Sequence, residues 1–238
     1  MSEALKIAIM QPYFLPYIGY WQLIQSVDKF VIYDDVEFSK GGWINRNRFL
    51  KNGKDEYFTI PLRKDSDFLK IGDRHISDSF FEKDRFKLLR KIISAYNGAA
   101  NYKQGCDIVQ KCFECSEKRL FDFIKSSIFL VCDLLNIKTE IVTSSSLKID
   151  SSLRKHHRVI EICKKLGADT YINPIGGVDI YSKDVFKAEG VEIFFQKTDD
   201  IFYSQFGNEF VPNLSVVDMI MFNDLEFVKH SLSRFKLL

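Results

Sequence analysis

Two apolar runs of strand length, LKIAIMQ at residues 5–11 and DKFVIYDD at 28–35, flank one short segment, GYWQLIQSV, whose apolar residues recur at helical spacing. A strand, one helix and a second strand in so little chain leave one compact arrangement, a crossover that sets the strands side by side and parallel. Parallel strands need cover on both faces, so this unit commits the chain to an α/β architecture. The same alternation returns later. KTEIVTSS, DTYIN and VEIFFQ have strand character; between them LRKHHRVIEICKKLG and SKDVFKAEG are helices closed by Gly167 and Gly190. LSVVDMIMFN and LEFVKHSLSRF finish as helices, the first capped by Ser215 or Asn213.

Two segments depart from the alternation. NRNRFLKNGKDEYFTIPL predicts a hairpin about Asn52-Gly53, ended by Pro61. Residues 79–136 change to helical periodicity in RFKLLRKIISAY and KRLFDFIKSSIFLVCDLL, punctuated at Asn97-Gly98 and Gly105. The expectation is one α/β domain over residues 1–238, with a mainly parallel Rossmann-like sheet, a β-hairpin and a helical insertion at about 79–136.

Charge and cysteine usage exclude several classes. Lys and Arg number 34 against 32 Asp and Glu, so no concentrated basic stripe for nucleic acid is expected. No stretch reaches membrane-spanning length; even FIKSSIFLVCDLL carries Lys125 and Asp133. The opening MSEALKIAIMQ has an acid and too short an apolar run for a signal peptide. Five cysteines, an odd number, fit reduced thiols in the cytoplasm. Cys112 and Cys115 form a lone CxxC with no second ligand pair, hence core thiols rather than a metal site.

In open parallel sheets, ligands bind beyond the carboxyl ends of the strands, and three such loops carry chemistry. In QPYFLPYIGY, Pro12 and Pro16 stiffen the loop, Gln11, Tyr13, Tyr17 and Tyr20 supply polar groups and flat faces, and amides near Ile18 and Gly19 open a helix. In YDDVEFSKGGWINRNRF, Asp34 and Asp35 end the second strand, and alternation sends one of them into the cavity as a base or hydroxyl-orienting group. Trp43 adds an aromatic plate, Asn45 and Asn47 amides, and Arg46 or Arg48 a fork for phosphate or carboxylate. In GADTYINPIGGVDIY, Gly176 and Gly177 permit close backbone approach while Asn173 and Tyr181 offer polar contacts. His75, on a loop, is an alternative base. His156 and His157, crowded by Arg154, Lys155 and Arg158, fit a solvated helix face. Ser144 to Ser146 lack a GxSxG elbow, which argues against a hydrolase triad.

Strand, loop, YIGY and helix in that order resemble the nucleotidylyltransferase-type fold, where HxGH opens the helix and its histidines hold nucleotide phosphates. Tyr17 and Tyr20 occupy the histidine places around Gly19, and no KMSKS-like loop follows. Over nearly the whole chain, MQPYFLPYIGYWQLI, YDDVEFSKGGWINRNR, LGADTYINPIGGVDIY and NLSVVDMIMFN resemble the WbqC family of bacterial proteins. Tyr171, Ser215 and Asp218 also match its recurrent motifs. Asn173-Pro174 departs from a frequent "SG", which removes a hydroxyl at that point. The resemblance implies a cytoplasmic enzyme of O-antigen and related surface-polysaccharide biosynthesis, modifying a nucleotide-linked amino sugar.

The leading expectation is therefore transfer of an acyl or aminoacyl group to that sugar's amine from a thioester on an acyl-carrier protein or coenzyme A. Asp35, Asp34 or His75 would take the amine proton; Asn45 and the Gly176 and Gly177 amides would hold the developing oxyanion. No metal or other cofactor is expected. The alternatives are nucleotidyl or adenylyl transfer through YIGY, and a non-catalytic sugar-nucleotide-binding protein. All three require Tyr13, Asp35 and Gly177 to meet along one rim.

Overall fold

β1 (Lys6–Met10) is the axis about which the structure is built. Its side chains divide between two cores, Ile7 and Ile9 on one side and Ala8 on the other, each at most 3% exposed. This is why the run is continuously apolar rather than alternating: a strand covered on both faces has no wet side. The computed structural model describes residues 4–238, so residues 1–3, part of the stretch weighed as a signal peptide, lie outside it.

From β1 the chain enters α1 (Ile18–Gln25) and returns as β2 (Lys29–Ile32), parallel to β1 with Ile7 opposite Lys29. The hairpin follows as β3 (Arg46–Lys51) and β4 (Lys54–Thr59). Asn52 and Gly53 both have positive φ, 52° and 75°, the pairing that two-residue hairpin turns demand and that Gly and Asn adopt most cheaply. The helical stretch resolves into α2 (Arg85–Ala95), α3 (Tyr102–Glu114) and α4 (Leu120–Leu135), preceded by one π turn at Phe80–Asp84. Gly105 does not punctuate this region. It lies inside α3, where a Cβ would collide with the Met221 side chain, so it is the close approach of another helix that requires glycine.

The alternation then resumes with β5 (Glu140–Thr143), α5 (Lys155–Leu166), β6 (Thr170–Pro174), α6 (Lys183–Ala188) and β7 (Glu192–Thr198). Gly167 closes α5 at φ 69°. α7 (Val216–Phe222) is capped by Ser215, whose Oγ accepts from the Val217 amide, and α8 (Leu225–Ser231) follows. The expected helix LEFVKHSLSRF stops four residues early. Gln22, buried on α1, donates to the carbonyls of Ser231 and Arg234, which fixes a turn there and releases β8 (Phe235–Leu237) to pair antiparallel with β7.

The sheet order is β5-β2-β1-β6-β7-β8, parallel except for β8. Side chains of α1, α4 and α7 share the core on one face of the sheet, with α7 packed on α3 and β3; α5 and α6 cover the other face, through Val159, Ile162, Cys163 and Phe186. The fold is thus mixed α/β around a mostly parallel six-stranded sheet, with a separate two-stranded hairpin. Among the described residues no helix is long and apolar enough to cross a membrane. Cys112 lies in α3 and is buried, which pushes its thiol up to about 12 and keeps it protonated at neutral pH.

The chain leaves β1 toward β2 on one side and later re-enters as β6 on the other. Connections on opposite sides diverge at the carboxyl ends of these neighbours, and divergence opens a crevice.

Candidate functional site

A cleft of about 810 Å³ occupies that crevice. β1 contributes Met10 and the following Gln11 and Tyr13; the exit of β2 contributes Tyr33 and Asp35; β6 and the turn after it contribute Tyr171, Asn173 and Tyr181. All three loops singled out in the sequence therefore reach one cavity. The fourth wall is the start of α5, with Arg154, Lys155 and Arg158.

Asp34 and Asp35 separate as adjacent residues should. Asp34 is buried, and its Oδ1 accepts from Ser144 Oγ and from the Ser145 amide, both at 2.9 Å. Asp35 faces the cleft, where its Oδ2 pairs with Arg158 Nη2, and its Oδ1 shares the single Ser144 hydroxyl proton with Asp34 Oδ1. Arg158 is 6% exposed and also donates to the Asp150 carbonyl, while its Nε is buried without a partner. A carboxylate has about four lone-pair directions, so the two bonds to Asp35 leave it capacity to accept from a ligand.

The cleft is rich in phenols. Burial raises the Tyr33, Tyr13 and Tyr181 hydroxyls above their ordinary value, so at neutral pH they stay protonated donors. Asn173 Oδ1 accepts from Tyr171 Oη at 2.7 Å and its Nδ2 donates to the Pro174 carbonyl. Gly177 matters here through packing. A Cβ there would collide with Asn173 Nδ2 and stand 3.3 Å from the Tyr181 ring. Gly177→Ala must therefore push Asn173 off two hydrogen bonds, and we expect stability to fall by about 1–3 kcal/mol and affinity for the cleft's ligand about tenfold, read by thermal unfolding and calorimetry.

Several expected residues lie elsewhere. Tyr20 is 2% exposed and donates to the Gln11 carbonyl, so it shapes the loop from beneath rather than touching a ligand. Tyr17 turns away to two smaller cavities, and its ring lies on Gly19, where a Cβ would collide with it. His75 sits on a bridge to Arg119, with Nδ1 on the Asp73 carbonyl, outside the cleft. Asn45 donates to the Ile60 carbonyl and ties the hairpin's open end. Arg46 is bound to the Gly41 and Gly42 carbonyls beside Trp43, and neither lines the cleft. Gly176 is solvent-exposed, and neither it nor Gly177 forms the cleft wall.

The residues missed by sequence reasoning are Tyr33 and the cations. Arg154, Lys155 and Arg158 crowd the amino end of α5, which has no acidic residue in its first turn. Cations are disfavoured at the positive end of a helix dipole, so their concentration there was the available signal for an anion. Lys155 also has φ 49°, an unusual backbone for a lysine. Lys70 adds a further cation to the cleft wall.

Fold and site together define a parallel-sheet α/β protein with an anion-receptive, phenol-lined cleft at the point where strand order reverses. The chain belongs to the WbqC-like protein family, which matches residues 11–230. It is also similar to the uncharacterized protein Rv1507c of Mycobacterium tuberculosis, 25% identical over 218 residues that cover 90% of this chain and 92% of the mycobacterial one. No solved structure matches it.

Proposed function

We propose that the protein is a biosynthetic transferase that binds a nucleotide-linked amino sugar in this cleft and acylates its amine from a thioester donor, as a step toward O-antigen or a related surface polysaccharide. The observation that carries the reading is the pairing, in one cavity, of Arg154, Lys155 and Arg158 at a helix start with a wall of phenols and the carboxylate of Asp35. Guanidinium and ammonium groups at a helix amino end suit a diphosphate, and ring faces and hydroxyls suit base and sugar. Family membership supports a biosynthetic role and leaves the transferase type to chemistry.

In the reaction, the amine nitrogen attacks the thioester carbonyl carbon and the carbonyl electrons move onto oxygen. Asp35 accepts the amine proton; collapse of the tetrahedral oxyanion breaks the carbon–sulfur bond, and the thiolate takes that proton as it leaves. The products are an amide and a thiol. Arg158 keeps Asp35 oriented, and the protonated phenols of Tyr13, Tyr33 and Tyr181 are the neutral donors at hand for the oxyanion. Asn45, Gly176 and Gly177 lie off the cleft wall, so this reading gives the oxyanion to the phenols instead. Tyr20 is buried with its hydroxyl on the Gln11 carbonyl, which favours the acyl-transfer reading over nucleotidyl transfer through YIGY.

A dTDP-linked amino sugar incubated with the protein and a panel of acyl thioesters should gain the acyl mass. Asp35→Asn should leave sugar-nucleotide affinity within about threefold and lower turnover roughly 100-fold, the scale of a lost general base. Tight binding of the sugar nucleotide with no mass gain from any donor would reduce the protein to a binding module.

A further inference from the structure

Beside the main cleft lies a second cavity of about 290 Å³, bounded by Tyr13, Pro16, Tyr17, Trp43, Arg48 and the loop residue Asn213. Tyr13 lines both spaces, so the two cavities adjoin at this residue. The walls are fixed from behind. Asn47 Nδ2 donates to the Phe14 and Leu15 carbonyls, Trp21 Nε1 to the Pro16 carbonyl, and Ser215 Oγ to the Leu15 carbonyl, all through buried hydrogen bonds. Trp43 stacks on Tyr57 with centroids 6.0 Å apart and planes 12° from parallel, and it remains 37% exposed. Arg46 and Arg48 each place a guanidinium 5.6 Å from the Trp43 centroid.

Internal bonds hold these cations in place and leave each of them some donor capacity. Arg46 uses Nε and Nη2 on the Gly42 and Gly41 carbonyls and keeps its Nη1 hydrogens. Arg48 is held by Asp55 and the Asn213 carbonyl, and its Nε is buried with no partner. A fixed slot with apolar walls and a cationic rim suits a slender, mostly apolar arm that ends in an anion. Its junction with the acceptor cleft at Tyr13 suits an arm whose other end must reach the acceptor amine.

We infer that this slot is the donor subsite, taking the phosphopantetheine arm of the acyl thioester with its phosphate toward Arg48 beside Trp43 and its thioester at Tyr13. This rests on the transferase reading above for its place in the reaction, but the binding itself is tested separately. In that geometry the carbon–sulfur bond that breaks lies at that junction, and the free thiol withdraws along the slot it entered.

Trp21 is fully buried and the chain's other tryptophan is Trp43, so emission changes on ligand addition report the slot. Titration with 4′-phosphopantetheine should shift that emission saturably, and a saturating concentration of dTDP should not displace it. Trp43→Ala, on an exposed loop and checked for folding by circular dichroism, should weaken phosphopantetheine at least tenfold by calorimetry while dTDP affinity stays within about twofold. No saturable shift, displacement by dTDP, or equal losses for both ligands in Trp43→Ala would overturn the assignment. Calorimetry with dTDP alone reads the main cleft, so a failure there strikes the acceptor proposal and leaves a positive phosphopantetheine result standing.

Discussion

Replacing Asp218 with alanine lowers the stability of the fold by about 4 kcal/mol at neutral pH, the sum expected when several buried donors lose one acceptor. Asp218 is fully buried on α7. Its Oδ1 accepts from Tyr96 Oη at 2.9 Å, and its Oδ2 accepts from Tyr203 Oη and Gln205 Nε2, both at 2.7 Å. The donors come from two distant parts of the chain, Tyr96 after α2 and the pair Tyr203 and Gln205 in the loop before α7. Tyr96 itself accepts from the Leu50 amide on β3, while Gln205 also accepts from the Val211 amide and so holds the loop before α7. One carboxylate thus joins the hairpin, the helical stretch and the carboxy-terminal loop.

Asp218 also sets a pH dependence whose sign follows from its surroundings. Burial pushes its carboxyl up from 3.8 to about 6, although the three donors pull the other way. The folded state therefore binds the proton more tightly than the unfolded chain. This contribution is fully present below 3.8 and is lost as pH rises through about 6, a change of about 3 kcal/mol for a shift of roughly two units. Asp218→Asn removes the titration while nearly keeping the volume. Urea unfolding at pH 4 and pH 7 should then show the difference between wild type and Asp218→Asn shrinking as pH rises; a constant difference would refute the assignment.

Arg158→Met is the second large effect and acts on function as well as stability. Arg158 is 6% exposed and its side chain carries the ion pair with Asp35, which is 17% exposed. Taking one partner away leaves a carboxylate in a mostly desolvated wall, and the expected loss of stability is about 3 kcal/mol. Affinity for dTDP-sugars should fall about 100-fold, because a guanidinium holds phosphate through directed hydrogen bonds that methionine lacks. The double variant Asp35→Asn/Arg158→Met separates the two consequences. It should recover most of the stability, since no unpaired charge remains, and none of the affinity. If affinity returned together with stability, Arg158 would be a scaffold residue and the phosphate site would lie elsewhere.

What was legible in the sequence follows a physical division. The crossover from β1 through α1 to β2, the hairpin turn at Asn52-Gly53, the glycine stops at Gly167 and Gly190 and the Ser215 cap all depend on residues within a few positions of each other, and each is present. Periodicity and turn chemistry are local, so a linear reading captures them. The convergence of the three loops was also accessible, because parallel strands send all their carboxyl ends to one edge, although Asn173 and Tyr181 rather than the expected Gly177 join Tyr13 and Asp35 on the cleft wall.

Which face each neighbouring side chain takes was not accessible. Tyr13 reaches the cleft while Tyr20 sinks beneath it, because α1 packs its Tyr20 and Trp21 rings into the core against Phe30. Arg154, Lys155 and Arg158 appeared to be a solvated helix face, yet α5 lies across the sheet with that end over the crevice. β8 formed where a helix was expected, because a buried glutamine far away in sequence bonds the turn before it.

The amino-acid sequence alone determined most of the elements, the parallel sense of the sheet strands other than β8 and the edge of the sheet where chemistry gathers, since these follow from short-range spacing and from the cover that parallel strands demand. Only the tertiary structure decided the strand order, the pairing of Asp35 with Arg158 across more than a hundred residues, and the division of the aromatic loops between two adjoining cavities. Those depend on which surfaces exclude water against each other, and that is settled by the packing of distant segments rather than by any one of them.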